Sequence, residues 1–344
     1  MAVQANVYLD KLAEGKAVLA PMAGYTDAPF RKLCRAFGSA WAVTEMVSAK
    51  ALVTGNLRGI TIGEPYPGEP DLVIQVFGAE PEMVAAGGRI LYEHYRPVAL
   101  DLNMGCPVKK VTGRSCGSKL MLEPERAAAI IAALRAAVPV PVSAKMRLGY
   151  DRVNVLEVAL ALEQAGASLL AIHGRTAQQK YSGEADWQAI AEVATRLHIP
   201  VVGSGDVRSR AQYVRYTRQG LGVMVARASV GRPWVFAELR GERPPSHDSQ
   251  LQLAYYHARL HCAWYGEARG MRSFRGQLLR YIEACSDADS FANVRPMLNR
   301  VSSLADLADI LRQTFGLEPA LQPMPDWPAA LQQQESDFQR LAVT

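Results

Sequence analysis

The run VALDLNMG, Val98 to Gly105, followed at once by CPVKK to Lys110, decides how this chain is read. It opens as a mostly apolar stretch, the pattern of a parallel strand covered on both faces. It ends in Asn103, Gly105 and Cys106, an amide, a hinge and a thiol that packing alone does not require. Two lysines follow.

Seven further runs share the first half of that pattern: AVLAPM (17–22), AVTEMV (42–47), LVIQVFG (72–78), VSAKMRLG (142–149), LLAIHGR (169–175), VVGSGDV (201–207) and GVMVARA (222–228). Helical segments such as PEMVAAGGRILYEHY and PERAAAIIAALRAAV lie between them. Eight strands alternating with helices predict an α/β fold, a (β/α)8 TIM barrel. An open doubly wound sheet is the alternative, but no GxGxxG follows the first strand. Met22, Glu45, Gln75, Asn103, Lys145, Arg147, His173 and Ser204 all fall at or just past strand C-termini, which in a barrel share the face that carries chemistry.

Beyond the barrel, GERPPSHDS (241–249) reads as a linker with Ser246 or Asp248 as a helix N-cap. The pattern from Leu251 to about Phe315 is helical in three or four segments. The expected domains are a catalytic barrel over 1–243, a small C-terminal all-helical domain over 246–316, and a loosely ordered Pro- and Gln-rich tail over 317–344.

Of the 344 residues 49% are apolar, yet no run reaches the ~20 uncharged residues of a membrane span. No basic region followed by an apolar core opens the chain, so a cytoplasmic protein without membrane association is expected. Five cysteines without a CxxC pair argue against a disulfide framework and against a zinc site, and no metal ligands are assigned. A net charge of +5 permits nucleic-acid binding without establishing it.

Several clusters at the predicted barrel mouth carry chemistry. GSGDV (203–207) and VARAS (225–229) end the seventh and eighth strands, where barrels commonly hold phosphate; Gly203 and Gly205 allow close approach and Arg227 adds charge. Lys145 suits a Schiff-base nucleophile, an anion clamp or a snorkelling surface residue; beside a flavin its ammonium would stabilise the reduced ring. Arg147, two residues on, shares its face and suits a carbonyl-bearing substrate. His173 suits a cofactor phosphate or ring, and Gln75 a heterocycle edge. A cysteine that holds its proton at neutral pH can act as a proton donor, or as a nucleophile if activated, and Cys106 is the candidate. Lys109, Lys110, Arg114 and Lys119 then form a basic loop suited to a phosphate backbone.

Together, LAPMAGYTD, QVFG, DLNMGCPVKKV, AKMRLGY, HGRTAQQKYSGEADW and GSGDV resemble the tRNA-dihydrouridine synthase family in order and spacing, from about Ala17 to about Arg312. The resemblance implies an FMN-dependent oxidoreductase that reduces the C5=C6 bond of particular uridines in tRNA, with NADPH as reductant. It implies an FMN site formed by Ala20, Pro21, Met22, Gln75, Lys145, His173, Gly203, Ser204, Gly205, Ala226 and Arg227. It implies Cys106 as the general acid towards C5, Asn103 and Arg147 positioning the uracil, Tyr181 at the pocket mouth, and Lys109, Lys110 and Arg114 on the tRNA. A monomer without an obligate protein partner is expected. Ser204 departs from the family's usual Asn, Ala226 from its usual Gly, and Gly276 stands where Lys or Arg is common. Two other readings remain: a small-molecule pyrimidine oxidoreductase of the dihydroorotate dehydrogenase kind, and a non-catalytic tRNA-binding chaperone.

Overall fold

A computed structural model describes residues 7–15, 17–320 and 322–332, with the side chains of Leu57 and Arg58 left aside. Eight strands form one all-parallel sheet: β1 (Val18–Leu19), β2 (Val43–Ser48), β3 (Val73–Phe77), β4 (Ala99–Met104), β5 (Val142–Arg147), β6 (Leu169–His173), β7 (Val201–Ser204) and β8 (Gly222–Val225). Their order is β1-β8-β7-β6-β5-β4-β3-β2. A parallel bridge between Leu19 and Ala42, with Leu19 N–H donating to Trp41 O at 3.1 Å, joins the first strand to the start of the second. The sheet is therefore a closed (β/α)8 barrel, as the alternation of runs predicts.

Inward-facing residues recur every second position along each strand. Val18, Val43, Val73, Ala99, Leu169, Val202 and Met224 pack with Tyr8 and Trp41 into an apolar plug. Two residues further along the same face, the side chains turn polar: Gln75 after Val73, Asp101 after Ala99, Ser204 after Val202. The plug supplies the burial that holds the barrel, and the polar layer inherits a rigid floor.

Backbone packing divides the chain into two compact units, one comprising residues through Thr26 plus Ser39–Ala226, the other Asp27–Gly38 plus Arg227 onward. The linker composition puts the expected boundary near 243–246; the packing boundary instead follows Ala226, and helix Ala28–Ala36 groups with the C-terminal segments. The cause is apolar: Leu33 and Phe37 are buried in one core with Leu253, Tyr256, Leu260, Phe274 and Leu278. The second unit holds helices Val235–Arg240, His247–Tyr265, Glu267–Ala284, Ala288–Leu298 and Leu304–Phe315. Ser246 caps the second of these by accepting from Ser249 N–H, and Ser303 and Asp306 form a capping box on the last. In the segment expected to be loosely ordered, Trp327 and Leu331 are buried in the same core; residues 333–344 lie outside the described residues. Among the described residues, no helix is long and apolar enough to cross a membrane.

Candidate active site

The polar layer of the barrel is a continuous hydrogen-bonded chain. Tyr8 Oη donates to Ser143 Oγ at 3.0 Å, and Ser143 Oγ donates to Asp101 Oδ1 at 2.6 Å. The other carboxylate oxygen accepts from Gln75 Nε2 at 2.7 Å, and Gln75 Oε1 accepts from Asn103 Nδ2 at 2.7 Å. Asn103 Oδ1 then accepts from the Cys106 N–H at 3.2 Å. Strand register makes this possible, since Gln75 pairs with Asp101 and Asp101 with Ser143. A buried carboxylate with both oxygens satisfied by neutral donors orients the amides around it.

The Gly105–Cys106 peptide unit is clamped at both ends. Its N–H is held by Asn103, and its carbonyl, Gly105 O, accepts from Arg147 Nε at 2.8 Å. The next carbonyl, Cys106 O, accepts from Ser118 N–H at 3.1 Å and Ser118 Oγ at 3.0 Å. Gly117 makes that fold-back possible: its φ is +61°, and a Cβ there would sit 2.8 Å from Cys106 O. The half-buried Cys106 side chain therefore projects from a fixed backbone.

Arg147 also ties down a second loop. Its Nη1 donates to Thr176 O at 3.0 Å and Lys180 O at 2.9 Å, and its guanidinium lies 5.8 Å from the Tyr181 ring centroid. Buried Arg175 holds the far side of the same loop through Ser182 O at 3.1 Å and Asp206 Oδ2. Tyr181, 56% exposed, stands between these anchors with its ring edge-on to His173. After β7, Gly203 is required because a Cβ would enter the Trp187 ring, while Trp187 Nε1 donates to Gly205 O at 2.9 Å.

Lys145 is half-buried on β5, beside Asn103 in register. Burial, and then the neighbouring Arg147 charge, pull its ammonium from 10.5 to about 8, while Asp101 and Cys106 oppose the shift. Burial pushes Asp101 up, with the donors Gln75 and Ser143 holding it back. Between about pH 8 and pH 10.5 the unfolded chain binds a proton at Lys145 that the folded chain has released, so this group makes stability rise with pH through that window. Lys145→Met should accordingly gain most over wild type below pH 8, the difference narrowing as the pH climbs past it. Paired melting curves across pH measure this; a constant offset between the two proteins would contradict the assignment.

Residues 18–317 match the model of the family described as dihydrouridine synthase. The chain belongs to the dihydrouridine synthase family. It is 38% identical over 277 residues to a probable tRNA-dihydrouridine synthase of Rhizobium leguminosarum, covering 79% of this chain and 87% of that one. It is 37% identical over 324 residues to tRNA-dihydrouridine synthase B of Xanthomonas axonopodis, covering 89% and 96%. The corresponding protein of Klebsiella pneumoniae is 33% identical over 315 residues, covering 87% and 96%.

Among the residues named from sequence for this dihydrouridine synthase, Gln75, Asn103, Cys106, Lys145, Arg147, His173, Tyr181 and Gly203–Gly205 lie on the C-terminal ends of β3 to β7 or in the loops just after them. Ala20, Pro21 and Met22 leave β1 on the same face. Ala226 ends the barrel unit, and Arg227 opens the next in the 3-10 turn Arg227–Ser229. Lys109 and Lys110 open the short helix Lys109–Thr112 and are exposed, as is Arg114. Sequence reasoning missed Asp101, Ser143, Tyr8 and Arg175. A signal existed for Asp101, a lone acid inside an apolar strand with the same facing as Asn103.

Proposed function

We propose that this dihydrouridine synthase reduces the C5=C6 bond of specific uridines in tRNA, using FMN and NADPH, with Cys106 as proton donor. The observation that carries the reading is the doubly clamped Gly105–Cys106 peptide beside Lys145 at the barrel mouth.

The residues present fit a flavin. The Lys145 ammonium has no hydrogen bond to protein among the described residues, although it sits among buried polar groups, and it suits an acceptor on the isoalloxazine. Gln75, His173 and the backbone of Ala20–Met22 offer further polar contacts, and the Gly203–Gly205 turn suits the phosphate. FMN, reduced by NADPH, supplies the hydride when bound.

The chain's own residues do the rest. Hydride arrival at C6 leaves negative charge over C5 and O4 of the uracil, and the Cys106 thiol gives its proton to C5, completing the saturated ring. Asn103 Oδ1 and Arg147 Nε hold the Cys106 peptide, while Asn103 Nδ2 is tied to Gln75 and Arg147 Nη1 to the loop that carries Tyr181, so both residues act chiefly by fixing what surrounds the uracil. A uridine must leave its stack to reach this site, at a cost of a few kcal/mol. Contacts between the tRNA backbone and Lys109, Lys110 and Arg114 offset that cost.

The purified chain should carry flavin absorbance that NADPH bleaches and unmodified tRNA restores, with dihydrouridine appearing in the RNA digest. Bleaching without product on any tRNA, together with turnover of dihydroorotate, would move the assignment to a small-molecule oxidoreductase. Lys109→Ala with Lys110→Ala should raise KM for tRNA several-fold, leave NADPH oxidation by free flavoprotein unchanged, and lower the salt slope of tRNA binding by up to about 1.5. An unaltered slope means these lysines do not meet the RNA.

A further inference from the structure

In the second unit, three buried side chains meet outside the candidate active site. Asp27, 7% exposed, precedes helix Ala28–Ala36; His257 and His261, 0% and 3% exposed, lie one turn apart on helix His247–Tyr265. One ligand-type atom from each falls within 4.8 Å of the others.

The hydrogen bonds around the trio fix where its lone pairs point. His261 Nε2 lies 2.9 Å from Ser273 Oγ. The single hydroxyl proton of Ser273 is already directed to helix carbonyls, Arg269 O at 3.0 Å and Gly270 O at 3.1 Å. With the Ser273 proton kept on those carbonyls, Ser273 accepts and His261 Nε2 carries the ring proton. In a neutral imidazole that leaves a lone pair on Nδ1, which faces Asp27 Oδ2 at 3.0 Å and has no hydrogen-bond partner of adequate geometry. Two acceptors this close require positive charge between them. On the neighbouring ring, His257 Nδ1 meets Tyr281 Oη at 3.1 Å, while its Nε2 is buried without a partner. A second proton on His261 would satisfy the Asp27–His261 pair and leave His257 Nε2 stranded. A divalent cation that takes one ligand atom from each residue satisfies the trio together.

We propose that Asp27, His257 and His261 form a structural binding site for a borderline transition-metal cation, zinc in the first instance. The donor set is the imidazole and carboxylate mixture that zinc accepts, and the i,i+4 spacing places both rings on one helix face. Two ligands on one zinc at ~2.0–2.1 Å lie roughly 3.4 Å apart, so the trio closes on an ion by small side-chain rotations. Tyr281 and Ser273 serve as the outer partners that set ring orientation. The ion clasps the segment that starts at Asp27 to the helix that carries both histidines. The cysteine spacing that argued against zinc addressed thiolate sites and is silent about this one.

The test is metal content and melting temperature of the tag-free full-length chain. Wild type should hold about one equivalent of zinc after dialysis into metal-free buffer, lose it to a strong chelator with a fall in Tm, and regain both with added zinc. His257→Phe, which suits the adjacent Phe30 and Phe274 rings, should fold yet hold at least tenfold less zinc and show no zinc-dependent Tm. Should that variant not fold, the wild-type chelation and reloading series decides alone. Wild type that takes up no zinc, cobalt or nickel, and whose Tm ignores chelator and metal, overturns the site and leaves an aspartate–imidazolium pair.

Discussion

On the proposed function, Cys106→Ala should keep flavin and fold and lose roughly 10²- to 10⁴-fold in the rate of tRNA reduction, the range a positioned general acid contributes. The substitution is well posed because the groups that hold this residue are backbone: its N–H on Asn103, its C=O on Ser118, and the preceding carbonyl on Arg147. Alanine keeps all of them. The reductive half-reaction with NADPH should be unchanged, since it needs no proton for C5 of uracil. Cys106→Ser should fall between the two, its hydroxyl being a much weaker acid in the same place. Equal rates of flavin reoxidation by tRNA in wild type and Cys106→Ala would remove Cys106 from the chemistry.

Arg147→Ala has the second large effect, and it falls on stability as well as turnover. Three carbonyls, Gly105 O, Thr176 O and Lys180 O, lose a charged donor inside the protein. Hydrogen bonds to charged groups contribute ~1.5–3 kcal/mol each and are not additive, so a loss of about 3–5 kcal/mol is expected for the set. Both loops are released together, the one bearing Cys106 and the one bearing Tyr181. Arg147→Lys should not rescue, because an ammonium cannot reproduce a planar fork reaching two loops at once. An unfolding free energy within about 1 kcal/mol of wild type for the alanine variant, from denaturant titration, would mean that neighbouring residues hold these loops.

The barrel was legible because parallel strands buried on both faces read as apolar runs; seven of the eight expected runs contain their strands whole, and the second stops one residue short, at Val47 against Ser48. The residues at those ends were legible too, since a lysine, an arginine and a histidine on strands have few structural reasons to be there. What each of them does was less legible. Asn103 and Arg147, expected to face the uracil, spend hydrogen bonds on the Cys106 peptide, because the partner is a backbone group whose position depends on how the loop returns through Gly117. Asp101 and Ser143 meet only through register between β4 and β5, and Tyr8 arrives from 135 residues away, so no local pattern announces them. Distance in sequence also hid the helical unit's composition: Leu33 and Phe37 look like ordinary barrel-helix residues until they are found among Leu253 and Phe274. The same holds for Asp27, with His257 and His261 lying 230 and 234 residues on, although the two histidines four apart on one helix were in plain view.

In the proposed reaction a cysteine held on a rigid peptide delivers the proton that completes uridine reduction in tRNA. Its most direct test is complementation: a bacterial strain lacking its own dihydrouridine synthases, carrying either this chain or Cys106→Ala, with dihydrouridine mapped in bulk tRNA. Dihydrouridine is expected at defined positions with the wild-type chain and little or none with the variant, at equal protein levels. Equal dihydrouridine from both would contradict it.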